Sequence, residues 1–193
     1  YIVKYKPDGN VIWTKHIGNF NPNEIRDVAI DSQNNVIVSG CFVGTIDFGG
    51  TSLTSISIPN SGSLDMFVAK YTPAGALTWV KNFGPGTCGH AVVVDRSGNI
   101  YVGTQLSGTA TFGTITLTCT PGGFNFVTVK MAGASGSVLW ATINGGVGYT
   151  LLSDLALDHV GDIVTCGSYF GTANVGTSLT NAGGQDIFLA KYS

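Results

Sequence analysis

The chain has 193 residues with a net charge of −2, and 44% of them are hydrophobic against only 10% charged. A near-neutral chain lacks the electrostatic footprint that nucleic acid or an anionic membrane surface calls for. Charge far below the usual quarter, with 28 glycines and abundant Thr, Ser and Val, excludes disorder and points to strands joined by tight turns. No apolar run approaches the ~20 residues of a membrane-spanning helix. No charged-then-apolar leader opens at Tyr1, and no stretch carries a 3.6-residue stripe, so essentially no helix is expected.

The first element is a hairpin, YIVKYKPDGNVIWTKHIG, that turns at Pro7-Asp8-Gly9-Asn10. A second hairpin follows, DVAIDSQNNVIVSG from Asp27 to Gly40, and then a Gly/Thr/Ser-rich connection, GTIDFGGTSLT from Gly44. From Met66 the first hairpin is written again as MFVAKYTPAGALTWVKNFG. The second recurs as AVVVDRSGNIYVGT from Ala91, the connection as GTATFGTITLT from Gly108, and the first again as FVTVKMAGASGSVLWATING from Phe126. A third round runs DLALDHVGDIVTCG from Asp154, GTANVGTSLT from Gly171, and closes on IFLAKYS.

The repeats keep step. Asp31, Asp95 and Asp158 recur at intervals of 64 and 63 (95−31 and 158−95), and Lys4, Lys70, Lys130 and Lys191 at 66, 60 and 61. Each Asp closes a strand, where its carboxylate can accept hydrogen bonds from the N–H groups of the turn. Three residues on stand Asn34, Gly98 and Gly161, the residue types that adopt positive φ most cheaply. The strands before these turns (Val28-Ala29-Ile30, Val92-Val93-Val94, Leu155-Ala156-Leu157) are apolar at every position, so both of their faces are expected to be covered.

Four antiparallel strands per repeat of about 60 residues is the sequence form of a β-propeller blade. The chain is therefore read as an all-β, partial propeller of about three blades. It divides into an outer hairpin of a preceding blade (1–17), two blades (18–83 and 84–143) and a blade lacking its fourth strand (144–193). Blades bury their faces only against neighbours, so further blades from a parent chain or another subunit are expected.

The stretches DIFLAKYS, VKYKPDGNVIWTK, VAIDSQNNVIVSG and GTIDFGG resemble the SBBP repeat, named for seven-bladed β-propellers of bacterial secreted and surface proteins. The resemblance runs over nearly the whole chain. It implies a propeller and a secreted or cell-surface location, with no catalytic set to carry over. The third copy departs from it at Met131 and Thr142, where the others have Tyr and Lys.

Signals for chemistry are weak. Gly84-Pro85-Gly86-Thr87-Cys88-Gly89 has GxGxxG spacing, but a strand rather than a helix follows it, so it reads as a loop. The turn series DSQNN and DRSGN is too short for a calcium loop and lacks the distal bidentate Glu, so no metal and no cofactor are assigned. His16, His90 and His159 fall at three different repeat offsets. Asp27 and Asp154 both open inner strands near the channel mouth, where two acids could form a glycosidase-type pair. Ala91 at the same offset of the middle copy favours a solvating role instead. The repeated Lys is read as structural, its stem along the sheet and its ammonium on a carbonyl or an Asp of its own blade.

The long connections (44–64, 108–123, 171–184) and the blade-to-blade links (18–23, 84–89, 144–149) share one end, and long loops on a rigid scaffold are the usual place for binding. Asp47, Phe48, Asn60 and Asn125 are the candidate contacts there for a protein or glycan partner. Cys41, Cys88, Cys119 and Cys166 fall towards that end as well, and the equal separations of 47 (88−41 and 166−119) suggest Cys41–Cys88 and Cys119–Cys166 bridges between neighbouring blades. Four cysteines allow three connectivities, so the sequence does not choose among them. The expected role is a non-catalytic binding or scaffolding module. A carbohydrate-active hydrolase and a structural spacer in an adhesin or filament are the alternatives.

Overall fold

A computed structural model describes residues 1–57 and 63–193. Among these there is no helix, and every ladder between strands is antiparallel. A two-stranded hairpin opens the chain, β1 (Ile2–Tyr5) with β2 (Val11–Lys15). The first blade has the order β3 (Asn23–Ile30), β4 (Val36–Phe42), β7 (Asp65–Tyr71), β8 (Leu77–Pro85). Between its second and third strands lies a small hairpin, β5 (Thr45–Asp47) with β6 (Ser52–Thr54).

The second blade repeats this plan with β9 (Thr87–Val94), β10 (Ile100–Leu106), β13 (Asn125–Met131) and β14 (Val138–Asn144). Its small hairpin is β11 (Thr109–Phe112) with β12 (Ile115–Thr118). The third blade pairs β15 (Gly148–Leu157) with β16 (Ile163–Asn174) and β16 with β18 (Asp186–Tyr192). The far end of β16 extends to pair with β17 (Ser178–Thr180), so strand and small hairpin fuse.

The turns from first to second strand hold because the Asp carboxylate gathers the N–H groups of the bend. Asp31 accepts from the backbone of Gln33 and Asn35 and from the Asn35 amide, at 2.8–2.9 Å. Asp95 repeats the two Asn99 contacts, and Asp158 accepts from Val160, Gly161 and Asp162. Asn34, Gly98 and Gly161 sit at φ +62°, +83° and +98°, the left-handed region that lets the chain reverse here.

The blades stack face to face, and each junction has its own core. Ile37, Met66 and Val68 of the first blade pack with Val92, Val102 and Val129 of the second. Ala91, Tyr101 and Phe126 of the second pack with Leu152, Leu155 and Phe188 of the third. The opening hairpin lays Ile2 and Trp13 on Val36, Val38 and Tyr71 of the first blade. Gly103 lets β10 approach the third blade closely, since a Cβ there would displace the ends of the Leu152 and Leu155 side chains.

Three expectations need correction. The continuous apolar runs do not all lie between two covered faces. In β3, Val28 and Ile30 are exposed, because no first or second strand of another blade stacks on that side. The fully buried strands of the first blade are instead the second and third, β4 and β7. Among the described residues, the long connections carry hairpins docked on the blade, with Ile46, Phe48, Ala110 and Phe112 in the cores. Finally, two of the three blade links are shorter than expected: only Gly86 separates β8 from β9, and 145–147 separate β14 from β15.

Candidate functional site

The repeated Lys and Trp meet at the end of the tight turns. Lys4 Nζ and Trp13 Nε1 both donate to the Pro73 carbonyl, each at 3.0 Å. Pro73 lies in the β7–β8 turn of the next unit. One junction on, Lys70 Nζ and Trp79 Nε1 both donate to the Gly133 carbonyl in the β13–β14 turn, at 3.0 and 3.2 Å. Lys and Trp face each other across the third and fourth strands, in register Lys4↔Trp13, Lys70↔Trp79 and Lys130↔Trp140. The first two pairs therefore each grip a turn of the following blade, which corrects the expectation that the Lys serves only its own blade. Lys70 does both, since its ammonium also lies 2.9 Å from Asp31 Oδ2. Burial works against ionising Asp31, but the Asn35 and Lys70 hydrogen bonds outweigh it and hold the carboxyl below its usual range.

Lys191 instead pairs within its blade, 2.7 Å from Asp158 and 3.0 Å from Asp162. Its hydrogen bond brings the Asp158 carboxyl down to about 2. Lys130 takes a fourth arrangement, its ammonium 4.9 Å from the centre of the Tyr101 ring. Beside it a cleft of about 340 Å³ opens against Tyr101, Trp140, Gly161 and Tyr192. A wider space of about 550 Å³ continues from it between the Asp95–Ser97 and Asp158–Gly161 turns. The junction of the second and third blades is thus a wedge. It is shut at the other end, where Phe124 N–H donates to Gly148 and Thr150 N–H donates to Phe124.

That shut end carries exposed aromatic surface. Phe124 and Tyr149 stack with ring centres 5.2 Å apart and planes 15° apart. Phe170 lies opposite Tyr149 in the ladder. The three rings are 40%, 48% and 52% exposed, and Val147 beside them is 65% exposed.

The candidate contacts at this end fare differently. Asn60 lies outside the described residues. Phe48 is fully buried against Phe42 and Phe67, and its carbonyl accepts the Tyr71 hydroxyl, because alternate residues of the β5–β6 hairpin face the blade. Asn125 is also buried, accepting from Thr120 N–H and donating to the Gly146 carbonyl. Asp47 is exposed but caps its own turn, accepting from Gly49 and Gly50. Phe48 and Asn125 are therefore core residues and cannot meet a partner.

Asp27 and Asp154 do not act as a free acid pair. Asp27 Oδ2 accepts the Val92 N–H of the neighbouring blade at 2.7 Å, and Asp154 accepts the N–H of Leu155. Both sit beside a register shift in their ladder, and their carboxylates satisfy backbone groups there. Among the described residues no three His, Cys, Asp or Glu side chains gather into a metal-binding group. Burial, with the Arg26 charge nearby, pushes the His90 imidazole below its ordinary pKa.

Cys41 of β4 and Cys88 of β9 form a disulfide between the first and second blades, with Cα atoms 4.9 Å apart. Cys119 and Cys166 are free thiols. Their pairing fails because Cys119 is buried in the core of the first junction, with its thiol on the Leu106 carbonyl, while Cys166 sits within β16 opposite Leu189.

The aromatic patch was open to sequence reasoning and missed. Phe124, Tyr149 and Phe170 each flank a glycine in the links and connections of the loop end (GGF, GYT, YFG), and only the topology brings them together.

No protein-family model matches the chain. Over 106 residues, 53% of the chain, it is 32% identical to a WD repeat-containing protein of Acanthamoeba polyphaga mimivirus that is itself described as uncharacterized. The chain spans 8% of that relative's length. Likeness to a WD repeat protein agrees with what the strands build here, an all-β repeat of four-stranded antiparallel blades forming a partial propeller.

Proposed function

We propose that the chain is a non-catalytic, protein-binding propeller module of a secreted or cell-surface protein, and that it takes its partner at the loop end. The observation that carries this is the exposed aromatic patch of Phe124, Tyr149, Phe170 and Val147. Clustered exposed aromatics on a soluble surface are the residue type that dominates binding energy at interfaces. They stand on a rigid base, since Tyr149 and Phe170 are paired in a ladder. The Cys41–Cys88 disulfide supports an oxidising, extracellular setting, and so do the SBBP-like motifs. The name of the mimivirus relative supports a repeat scaffold without chemistry of its own.

The flat Phe124–Tyr149 stack also offers a platform for a sugar ring, which makes a glycan the second reading. Affinity enrichment from the parent organism's extracellular fraction, run beside a glycan array, separates the two. A protein partner should be retained by the wild-type chain and by Arg96→Ser at the turn end, and lost by the Phe124→Ser/Tyr149→Ser pair. Loss on Arg96→Ser instead would move the site to the other end. A glycan hit abolished by the aromatic pair, with no protein retained, would establish the second reading.

A further inference from the structure

The last strand of a sheet has unpaired N–H and C=O groups along its outer edge, a template for any strand that can lie beside it. In the first two blades these last strands are β8 and β14, each hydrogen-bonded on one side alone. Both blades have all four strands, so neither edge awaits a strand of its own blade. The opening hairpin shows the same strand as β2. All three carry Trp at one position (Trp13, Trp79, Trp140), and in each the ladder slips by one residue just before it.

The three strands differ in charge. Two residues after the Trp stand Lys15, Lys81 and Thr142. A Lys or a Pro on an edge strand discourages pairing, and β8 has both, Lys81 and Pro85. Strand β14 has neither. Its sequence VLWATIN is uncharged, and no charged residue stands between Lys130 and Asp154. A short segment rich in β-branched and apolar residues, without charge or Pro, is the kind that pairs with its own copies. The tip of the β11–β12 hairpin rests on Val138, whose Cβ lies 3.2 Å from where a Gly113 Cβ would stand. Leu139 is the extra residue of the slip and is 51% exposed. The regular part of the edge is therefore 140–144, with Thr142 exposed at its centre.

We propose that β14 is a dimerisation edge: it pairs antiparallel with β14 of a second copy, about a two-fold axis at Thr142, and joins two four-stranded blades into one continuous sheet. A two-fold interface meets itself, so its own composition decides whether it can close. With the axis at Thr142, Ala141 of one copy lies opposite Ile143 of the other and Trp140 opposite Asn144, so no charges meet. The same operation on β8 about Lys81 would set two ammonium groups directly opposite each other, which is destabilising. The loss of the Lys at this one edge is what selects a second copy as its occupant. Five paired residues extend about 17 Å. That is less than a standard interface, so the dimer is weak and forms with rising concentration. It uses none of the residues of the aromatic patch, so it stands or falls independently of the partner proposed there.

Sedimentation velocity of the 193-residue chain, from micromolar to millimolar concentration, reads the association. A monomer–dimer equilibrium without larger species is expected. Thr142→Lys restores the residue type that β2 and β8 carry, and Thr142→Glu places the opposite charge there. Each alone should weaken the dimer roughly tenfold or more, because like charges then face each other across the axis. Each should also leave the thermal transition of the monomer, measured at micromolar concentration, in place. Mixed in equal amounts, the two variants should associate again, since a Lys then faces a Glu; damage to the fold would not be rescued by mixing. A chain that stays monomeric at millimolar concentration would overturn the proposal, as would a dimer that both single variants leave intact. Failure of the mixture to associate would overturn it too, and so would open-ended growth with concentration, since a two-fold seam closes at two copies.

Discussion

Lys70→Met tests whether the grip on the next turn stabilises the fold. Lys70 is 8% exposed and Asp31 5%, so the substitution strips a buried carboxylate of its counter-ion. Removing one partner of a buried pair costs about 3–5 kcal/mol. Asp31 keeps its hydrogen bonds from Gln33 and from the Asn35 backbone and amide, which places the loss at the lower end. Losing the bond to the Gly133 carbonyl adds about 1 kcal/mol. The expected total is about 3–4 kcal/mol. Lys4→Met makes the same chemical change at an exposed site with no carboxylate partner, and should cost under about 1 kcal/mol. Urea unfolding followed by Trp fluorescence measures both, and the Lys70→Met/Asp31→Asn double variant should lose less than the sum of its singles. A Lys70→Met loss no larger than that of Lys4→Met would refute the reasoning, because burial would then not decide the cost.

Reduction of Cys41–Cys88 opens a loop of sequence separation 47, and the chain-entropy relation gives a loss of about 4 kcal/mol. Non-reducing peptide mapping should find this bridge and two free thiols, Cys119 and Cys166, and any Cys119–Cys166 peptide would contradict the structure. The Asp158 carboxyl, brought from 3.8 down to about 2 by Lys191, should show its depressed midpoint in an NMR titration and move up in Lys191→Met. A depressed folded-state value stabilises above the unfolded one, so this contribution is full above about pH 4 and is lost as pH falls towards about 2. A midpoint near 3.8 in the wild-type chain would show that the pair does not form in solution.

The blades were legible because their signals are local. A turn Asp, a positive-φ residue three positions later and an apolar run on either side fix a hairpin without reference to the rest of the chain, and Asp31, Asp95 and Asp158 cap their turns in the same way. Burial was less legible, because it depends on neighbours: the apolar runs of β3 and β9 read alike, yet Val28 is exposed and Val92 is buried. The loop-end contacts failed for a related reason. Asp47-Phe48 was read as a loop, but a three-residue ladder between β5 and β6 gives it alternation and turns Phe48 inward. The stacked rings of Phe124 and Tyr149 come from different blades, and nothing local in the sequence joins them.

The four repeated lysines show how far a repeat position determines a role. All four sit at one register on the third strand, yet Lys4 has a carbonyl, Lys70 a carbonyl and a buried carboxylate, Lys130 an aromatic ring and Lys191 two half-buried carboxylates. The backbone presents the ammonium at the same place each time, and the neighbouring turn decides what it meets. Where Pro73 and Gly133 supply the carbonyl, Lys and Trp close on it together. Beside Trp140, among the described residues, the Lys130 ammonium meets the face of the Tyr101 ring of its own blade instead, so one strand position serves three different kinds of partner.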